Sequence, residues 1–296
     1  MGQFRQDEGG AAHWLTDRAA RSLIWTAKRL PYATRTTLLD TTLRHVLGPM
    51  AGFRRRALDH LAYIYPDRPE AERREIADAA LGNAGRTLIE NYSHKGLRAQ
   101  AGAAPITGDG LPAIEQARAE NRPVIFVTGH FGNYEAPRHA LDAKGFTIGG
   151  LYRPMANPFF NAHYARTMER VSGPVFEQGR RGTAGFVKHL RDGGMATLFF
   201  DIWSREGAVI NFLGQPAPTS LSAAEMALKY DALMVPYFGI RQPDGLSFEI
   251  AVEAPIARTD PVAMMEEATR RLEARIATHP GQWFWFHRRW KPHRKL

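Results

Sequence analysis

The chain has 296 residues, of which 44% are hydrophobic and 23% charged, a balance typical of a globular protein with a sizeable core. It contains no cysteine, which excludes disulfides, thiolate metal ligands and a cysteine nucleophile. The formal net charge of +9 predicts attraction to polyanions, which include nucleic acid, an anionic membrane surface and an acidic carrier protein.

The first hundred residues have the periodicity of helices. In residues 14–30, apolar side chains recur every three or four positions with arginine and lysine between them, and tryptophans stand at 14 and 25. That composition suits a helix lying in a membrane interface, and it equally suits a helix packed on its own domain. Apolar runs stay short of the ~20 residues that a membrane span requires. We therefore expect no transmembrane helix, and a peripheral or monotopic attachment if the protein works at a membrane.

From about residue 105 the pattern changes to short apolar strands alternating with amphipathic helices. The predicted strands are residues 123–128, 146–152, 195–200, 208–212, 233–239 and 246–252, and the predicted helices are residues 134–143, 157–171, 183–191, 220–230 and 261–278. This alternation predicts an α/β fold with a largely parallel central sheet flanked by helices. We expect an N-terminal helical, membrane-associating region at 1–104 and an α/β core at 105–296, joined in one integrated domain.

The segment GHFGNYE follows the strand 123–128, so His130 is predicted at the carboxyl end of a strand, where sites form in such sheets. Glu135 falls in the first turn of the next helix, and the glycines on either side of His130 allow a sharp turn. A carboxylate on one imidazole nitrogen raises the basicity of the other, which can then take a proton from a hydroxyl. The same spacing also suits a helix cap or a core contact.

Charged residues at other loop and strand ends are further candidates. Arg153 follows a strand and precedes a proline, so it can bind a headgroup phosphate or stabilise an oxyanion, or it can form a structural ion pair. Asp201 ends an apolar strand, where we expect it to pair with an arginine such as Arg153 or to bind the acceptor. Arg180 and Arg181 precede a helix, where a headgroup or carrier phosphate can bind, or they form a solvated basic loop.

Two other classes of site receive little support. The 11 histidines are scattered and form no zinc-binding helix motif, so we expect no metal. The glycines match neither a P-loop nor a dinucleotide-binding fingerprint. The basic, tryptophan-containing C-terminal segment suits either anionic lipid or nucleic acid.

The ordered set of motifs resembles a known family. His130 and Glu135 in GHFGNYE look like the first motif of the lysophospholipid acyltransferase superfamily, and more narrowly that of the bacterial late (secondary) lipid A acyltransferases. Further matches follow in order: YRPMANP at 152–158, MATLFFD at 195–201, NFLG at 211–214, VPYFGIRQPDG at 235–245 and PGQWFWFHRRWK at 280–291. The similarity extends from about residue 45 to the end.

The resemblance implies a glycerol-3-phosphate acyltransferase-like fold and a reaction. The implied reaction is transfer of a fatty acyl group from an acyl–acyl carrier protein to a hydroxyl of a lipid A precursor, without a cofactor. His130 would be the general base with Glu135 as its partner. The matched motifs, together with the two arginines at the helix start, give the expected substrate-binding residues Arg153, Asp201, Asn133, Arg180, Arg181, Thr219 and Arg241. The implied location is the cytoplasmic face of the bacterial inner membrane.

Alternatives remain at the sequence level. The same chemistry suits a lysophospholipid, a phosphatidylinositol mannoside or an aminoacyl lipid as acceptor, with acyl-CoA as a possible donor. A nucleic-acid or membrane-binding module would use the +9 charge but would leave the GHFGNYE arrangement without a purpose. We therefore expect acyl carrier protein, an anionic membrane surface and a glycolipid acceptor as partners, and no nucleic acid.

Overall fold

A computed structural model describes residues 10–290 of the protein. The N-terminal region is helical, and its helices are α1 (Ala11–Ala27), α2 (Tyr32–Thr42), α3 (Gly48–Met50), α4 (Phe53–Ile64), α5 (Glu70–Asn91) and α6 (His94–Gly102), with a π-helical turn at Leu43–Leu47. The later helices are α7 (Leu111–Ala119), α8 (Ala136–Ala143), α9 (Pro158–Glu169), α10 (Arg180–Arg191), α11 (Ser222–Lys229) and α12 (Pro261–Thr278), followed by a 3₁₀ turn at Pro280–Gln282.

The strands follow the helical region. They are β1 (Ile106–Thr107), β2 (Val124–Thr128), β3 (Ile148–Tyr152), β4 (Val175–Glu177), β5 (Met195–Phe199), β6 (Ala208–Phe212), β7 (Gln215–Thr219), β8 (Leu233–Arg241) and β9 (Phe248–Val252). Within residues 10–290, seven of them form one sheet in the order β1-β9-β8-β2-β5-β3-β4, while β6 and β7 form a separate hairpin. The strand pairs of the seven-stranded sheet are parallel except β8–β9, and the β6–β7 hairpin is antiparallel. The predicted α/β class with a largely parallel sheet is confirmed.

Three strands and one helix were not expected from the sequence. β1 and β4 have only two and three residues, which is too short to show a period. β7 contains Pro216 and Pro218, and proline removes a donor from a ladder, so the sequence argues against a strand there. It forms because only one neighbour, β6, pairs with it. For residues 111–119, which form α7, the sequence analysis predicted neither a helix nor a strand.

The central strand β2 is buried along its whole length because helices cover both faces of the sheet. One side packs against α4 and α5, so residues of the helical region share a core with the sheet. The amide of Asn83 and the hydroxyl of Thr87, both on α5, donate to the carbonyl of Gly132 at 2.9 and 3.0 Å. The helical region therefore directly supports the turn that carries His130.

Helix α1 lies against α9 and leaves much of its own surface exposed. The side chains of Trp14, Leu23 and Trp25 are 47%, 72% and 59% exposed. The amide of Asn157, at the start of α9, donates to the carbonyl of His13 at 2.7 Å and so ties the two helices together. None of the helices within residues 10–290 is both long and apolar enough to cross a membrane.

Candidate active site

The turn after β2 places His130 at the carboxyl edge of the sheet. Gly129 precedes it because a Cβ there would meet Leu272 at 2.7 Å and the carboxylate of Asp201 at 3.0 Å. Gly132 follows with φ of +55°, and a Cβ there would collide with the carbonyl of Gly239. Glycine is therefore required at 132 by the backbone of β8, while a side chain at 129 would displace Leu272 and crowd the Asp201 carboxylate.

The partner of His130 is Asp201. Strand β5 runs parallel to β2 and beside it, with Thr128 paired to Phe199, so the residues after the two strands meet at the same edge. Oδ1 of Asp201 lies 2.8 Å from Nδ1 of His130, and Oδ2 accepts the backbone N–H of His130 at 2.7 Å. Because an ionised carboxylate only accepts, Nδ1 carries the proton and Nε2 is left as a base.

The protonation state of Asp201 suits this arrangement. Burial alone would raise the pKa of its carboxyl, but the charge of His130 and the hydrogen bonds from it hold the pKa well below its usual range. The carboxylate is 1% exposed, while the side chain of His130 is 21% exposed. The buried Asp201 carboxylate thus holds a His130 imidazole that a substrate can reach. The sequence-based expectation that Asp201 pairs with an arginine is replaced by this contact.

Glu135 makes a different contact from the one expected. Its Oε2 accepts from Nη1 of Arg138 at 2.8 Å, one turn along α8, and both side chains are 2% exposed. Among residues 10–290, no hydrogen bond joins Glu135 to His130. Burial raises the pKa of the Glu135 carboxyl even though Arg138 opposes that shift. Arg138 also donates to the carbonyls of Ile148 and Ser172, so this pair ties the turn to β3.

A cavity of about 670 Å³ opens in front of His130. That volume falls within the ~300–1,000 Å³ typical of small-molecule sites. Glu135, Arg138 and Tyr134 line it together with apolar side chains that include Leu151, Met168, Val175 and Phe199. The walls can therefore hold an apolar chain with its polar end near His130.

The mouth of the cavity is basic. Arg153 lies exposed on its wall, as the sequence predicted for a site-facing loop, and Arg205 is a second exposed guanidinium there. Arg180 and Arg181 are exposed at the start of α10, two and three residues beyond the lining residue Gln178. They lie beside the mouth and outside the cavity wall.

Three residues expected to bind substrate have structural partners and lie outside the walls of this cavity. Asn133 is buried, its amide donates to Glu90 at 2.7 Å, and its Oδ1 caps α8 by accepting the N–H of Glu135. Arg241 is buried against the same Glu90, with bonds of 2.7 and 2.6 Å. Thr219 is buried and accepts from Arg289. Burial of these polar groups requires such partners, which accounts for their roles here.

The sequence analysis matched the C-terminal residues to a family motif and expected the basic segment to bind lipid or nucleic acid, but it gave none of them a place in the dyad. The indole N–H of Trp283 donates to Oδ2 of Asp201 at 2.9 Å. The ring of His287 stands edge-on to His130 at 4.3 Å between centroids, and burial lowers the pKa of His287 to about 3, with the charge of His130 as the next cause. His287 is therefore neutral beside the dyad. Only the order of the strands and the fold of the C-terminus reveal these contacts.

Within residues 10–290, no group of three or more histidine and carboxylate side chains is arranged to hold a metal ion. The chemistry that the geometry supports is proton transfer at Nε2 of His130 to or from a ligand in the cavity.

Fold and site together define an α/β protein with an accessible histidine on a buried aspartate at the carboxyl edge of a largely parallel sheet, an arrangement suited to general-base chemistry. The family model described as bacterial lipid A biosynthesis acyltransferase matches residues 12–292, so the chain belongs to that family and is an acyltransferase. The resemblance read from the motifs is thereby confirmed.

Curated relatives are consistent with this membership at low identity. The lipid A biosynthesis lauroyltransferase of Escherichia coli K12 is 25% identical over 294 residues, which cover 94% of this chain and 92% of that protein. The lipid A biosynthesis myristoyltransferase of the same organism is 24% identical, covering 81% and 77%. A lipid A biosynthesis acyltransferase of Haemophilus influenzae is 23% identical, covering 78% and 74%.

Proposed function

We propose that this acyltransferase moves a fatty acyl group from an acyl carrier protein thioester to a hydroxyl of a lipid A precursor. The observation that carries the proposal is the His130–Asp201 pair, which opens on the apolar-walled cavity of a protein in this family. His130 is the general base. Asp201, rather than Glu135, is the carboxylate that fixes its tautomer, because the Nδ1–H faces Asp201 at 2.8 Å.

The proposed step needs no enzyme nucleophile. Nε2 of His130 removes the proton of the acceptor hydroxyl as its oxygen attacks the thioester carbonyl. The C–O bond forms, the C–S bond breaks, and the imidazolium returns the proton to the departing thiolate. Asp201 stabilises the imidazolium between these transfers. The sequence contains no cysteine, which agrees with direct transfer.

The basic rim of the cavity supports a phosphorylated acceptor. Arg153 and Arg205 both line the cavity with exposed guanidinium groups, which suit bidentate contact with phosphate. A sugar-phosphate headgroup held there would place a hydroxyl of the acceptor toward His130. The relatives are named for lipid A biosynthesis, and a lipid A precursor combines a phosphorylated sugar head with acyl chains.

The donor proposal rests on α10. Four of its basic side chains, Arg180, Arg181, Lys188 and Arg191, are exposed, and their spacing puts them on one face of the helix. This face begins next to Gln178 of the cavity wall. An acidic carrier protein docked on it would deliver its thioester to the mouth, with charge complementarity setting the encounter. Acyl-CoA lacks an acidic protein surface and would gain less from it.

Attachment to a membrane rests on α1. Trp14 and Trp25 are exposed and lie about three turns apart on the same face of the helix. The guanidinium groups of Arg18 and Arg29 lie 5.6 and 4.1 Å from the centroids of these two rings. Such a face suits the headgroup region of an anionic bilayer. Asn157 joins α1 to the loop that carries Arg153, so a docked α1 brings the cavity mouth to the lipid surface. We propose the cytoplasmic face of the inner membrane as the location.

The test is acyl transfer in detergent micelles, with wild type and His130→Ala compared on a panel of donors and acceptors. The donors are an acyl carrier protein thioester and the matching acyl-CoA, and the acceptors are a lipid A precursor, a lysophospholipid and a phosphatidylinositol mannoside. We expect the wild type to prefer the first member of each set and the variant to lose transfer. Full activity in His130→Ala would reject the mechanism, and a preference for another acceptor would reject the substrate.

A further inference from the structure

The C-terminal segment 283–289 contacts both members of the dyad, and none of its residues lines the cavity. Trp283 is 0% exposed and forms a backbone bridge with Phe131, the residue after the histidine. The next residue, Phe284, donates its N–H to the carbonyl of His130 at 3.0 Å. The segment therefore holds the backbone of the turn as well as contacting Asp201.

The hydrogen bonds to Asp201 are divided between its two oxygens. Oδ1 faces Nδ1 of His130, while Oδ2 accepts two donors, the backbone N–H of His130 at 2.7 Å and the indole N–H of Trp283 at 2.9 Å. Three donors from two directions fix the plane of the carboxylate. Without the indole, the backbone N–H of His130 is the remaining donor to Oδ2. The carboxylate is then held by His130 alone and gains freedom to rotate.

The packing around Trp283 does not by itself require an indole N–H. Its ring contacts Phe212, Trp285 and Trp290 at centroid distances of 5.3, 4.8 and 5.7 Å. Phenylalanine could fill most of this space and keep the ring contacts. What phenylalanine lacks is the donor, and that donor is directed at the buried carboxylate behind the proposed base.

We infer that Trp283 is a positioning residue, whose indole N–H fixes the Asp201 carboxylate and through it the Nδ1–H tautomer of His130. The inference rests on the proposed function for its effect on catalysis, but the tautomer is a property of the free protein. Holding the carboxylate keeps Nε2 unprotonated and aimed at the cavity, ready to accept the hydroxyl proton. Trp283 itself touches neither the reacting hydroxyl nor the thioester in this arrangement.

The test compares Trp283→Phe with a matched control, Trp285→Phe. Trp285 is equally buried and meets Trp283 edge to face, but its indole N–H donates to the carbonyl of Pro280 at 2.8 Å, away from the dyad. Both variants lose one buried indole donor. Only Trp283→Phe should lower kcat, by about 10- to 100-fold, with KM for donor and acceptor little changed.

A second readout needs no substrate. In ¹⁵N-histidine spectra of the wild type and of Trp285→Phe, we expect His130 as a single Nδ1–H tautomer, and in Trp283→Phe we expect a mixture. A kcat and a tautomer in Trp283→Phe equal to those of Trp285→Phe would overturn the inference. An equal fall of kcat in both variants would also overturn it, since lost packing would then explain the effect. Failure of the wild type on every acceptor would reject the proposed function and leave the tautomer experiment valid.

Discussion

His130 and Asp201 follow two neighbouring parallel strands, and their side chains meet 2.8 Å apart because Thr128 at the end of β2 is in register with Phe199 at the end of β5. The two residues are 71 positions apart in the chain. Their contact is thus a product of strand order. The carboxylate that touches the imidazole is that of Asp201, whereas Glu135, which is closer in sequence, pairs with Arg138.

The first prediction tests which carboxylate serves the base. Asp201→Asn should lower kcat on the order of 10³-fold, because an amide in place of the carboxylate can no longer hold the Nδ1–H tautomer or stabilise the imidazolium. Glu135→Gln should leave kcat per folded molecule much closer to that of the wild type. Its main effect should be on stability, since it weakens a buried ion pair with Arg138.

The measurements are single-turnover transfer rates, corrected for the folded fraction by circular dichroism. Loss of transfer in folded Glu135→Gln, together with activity in Asp201→Asn, would return Glu135 to the role that the motif resemblance implies. Glu135→Asp serves as an intermediate control because it keeps the charge and shortens the reach toward Arg138.

The second prediction concerns Arg241, whose bonds to Glu90 are those of a structural pair. Arg241→Met should lower the free energy of unfolding by about 3–5 kcal/mol, because it leaves the buried Glu90 carboxylate without its cation. The double variant Arg241→Met with Glu90→Gln should lose less. Urea denaturation measures both, and KM of the folded protein should stay near the wild-type value. A raised KM with unchanged stability would instead support direct substrate binding by Arg241.

Much of the fold could be predicted from local pattern, while the pairing in the site could not. β2 and β5 are short apolar runs, and the glycines around His130 predict a tight turn. The edge of the sheet at which the site forms was therefore predictable. Which strand lies beside β2 depends on how the intervening helices pack, and no short-range pattern encodes that. Asp201 was therefore recognised as a buried charge but given the wrong partner.

The same limit explains the buried polar residues. Arg241 and Asn133 both converge on Glu90, which lies on α5 in the helical region, about 150 and 43 positions away. When the partner of a polar residue comes from a distant helix, the local sequence does not show it, and the residue is easily interpreted as a ligand contact. Burial, which distinguishes the two cases, emerges only from tertiary packing.

The third prediction concerns His139, a buried histidine on α8 with no hydrogen-bond partner for either ring nitrogen among residues 10–290. Burial lowers its pKa to about 3, with the charge of His94 as the next cause. The folded protein therefore keeps His139 neutral where the unfolded chain binds a proton. The contribution of His139 to stability is accordingly complete above about pH 6.5 and is lost as the pH drops toward 3, by about 1.4 kcal/mol per pH unit.

His139→Leu should remove that part of the pH dependence and should stabilise the protein by about 1 kcal/mol already at pH 7.5, because it replaces unpaired polar atoms with apolar ones. Urea denaturation at pH 7.5 and 5.0 gives both quantities. His60→Leu is the control: His60 is also buried, but its Nδ1 lies 2.7 Å from the carbonyl of Trp285, so its replacement should destabilise. A destabilised His139→Leu would mean that an internal water satisfies the ring.

The fourth prediction tests the lipid-facing role of α1. Replacing Trp14 and Trp25 together by serine should weaken binding to anionic vesicles on the order of 10²-fold, because each exposed indole would otherwise leave water for the interface. Cosedimentation with phosphatidylglycerol vesicles measures the partition, and zwitterionic vesicles should bind the wild type more weakly, since the basic side chains of α1 then lack counter-charges.

The matched control replaces Val209 and Val262, two exposed apolar residues outside the helical region, by serine. This variant should bind vesicles like the wild type, because those positions lie on β6 and α12 and not on α1. Equal loss in the two double variants would show that binding follows total exposed apolar surface. Undiminished binding of the tryptophan variant would assign the membrane contact to another surface, and micellar transfer activity, which does not depend on vesicle docking, should be retained in every case.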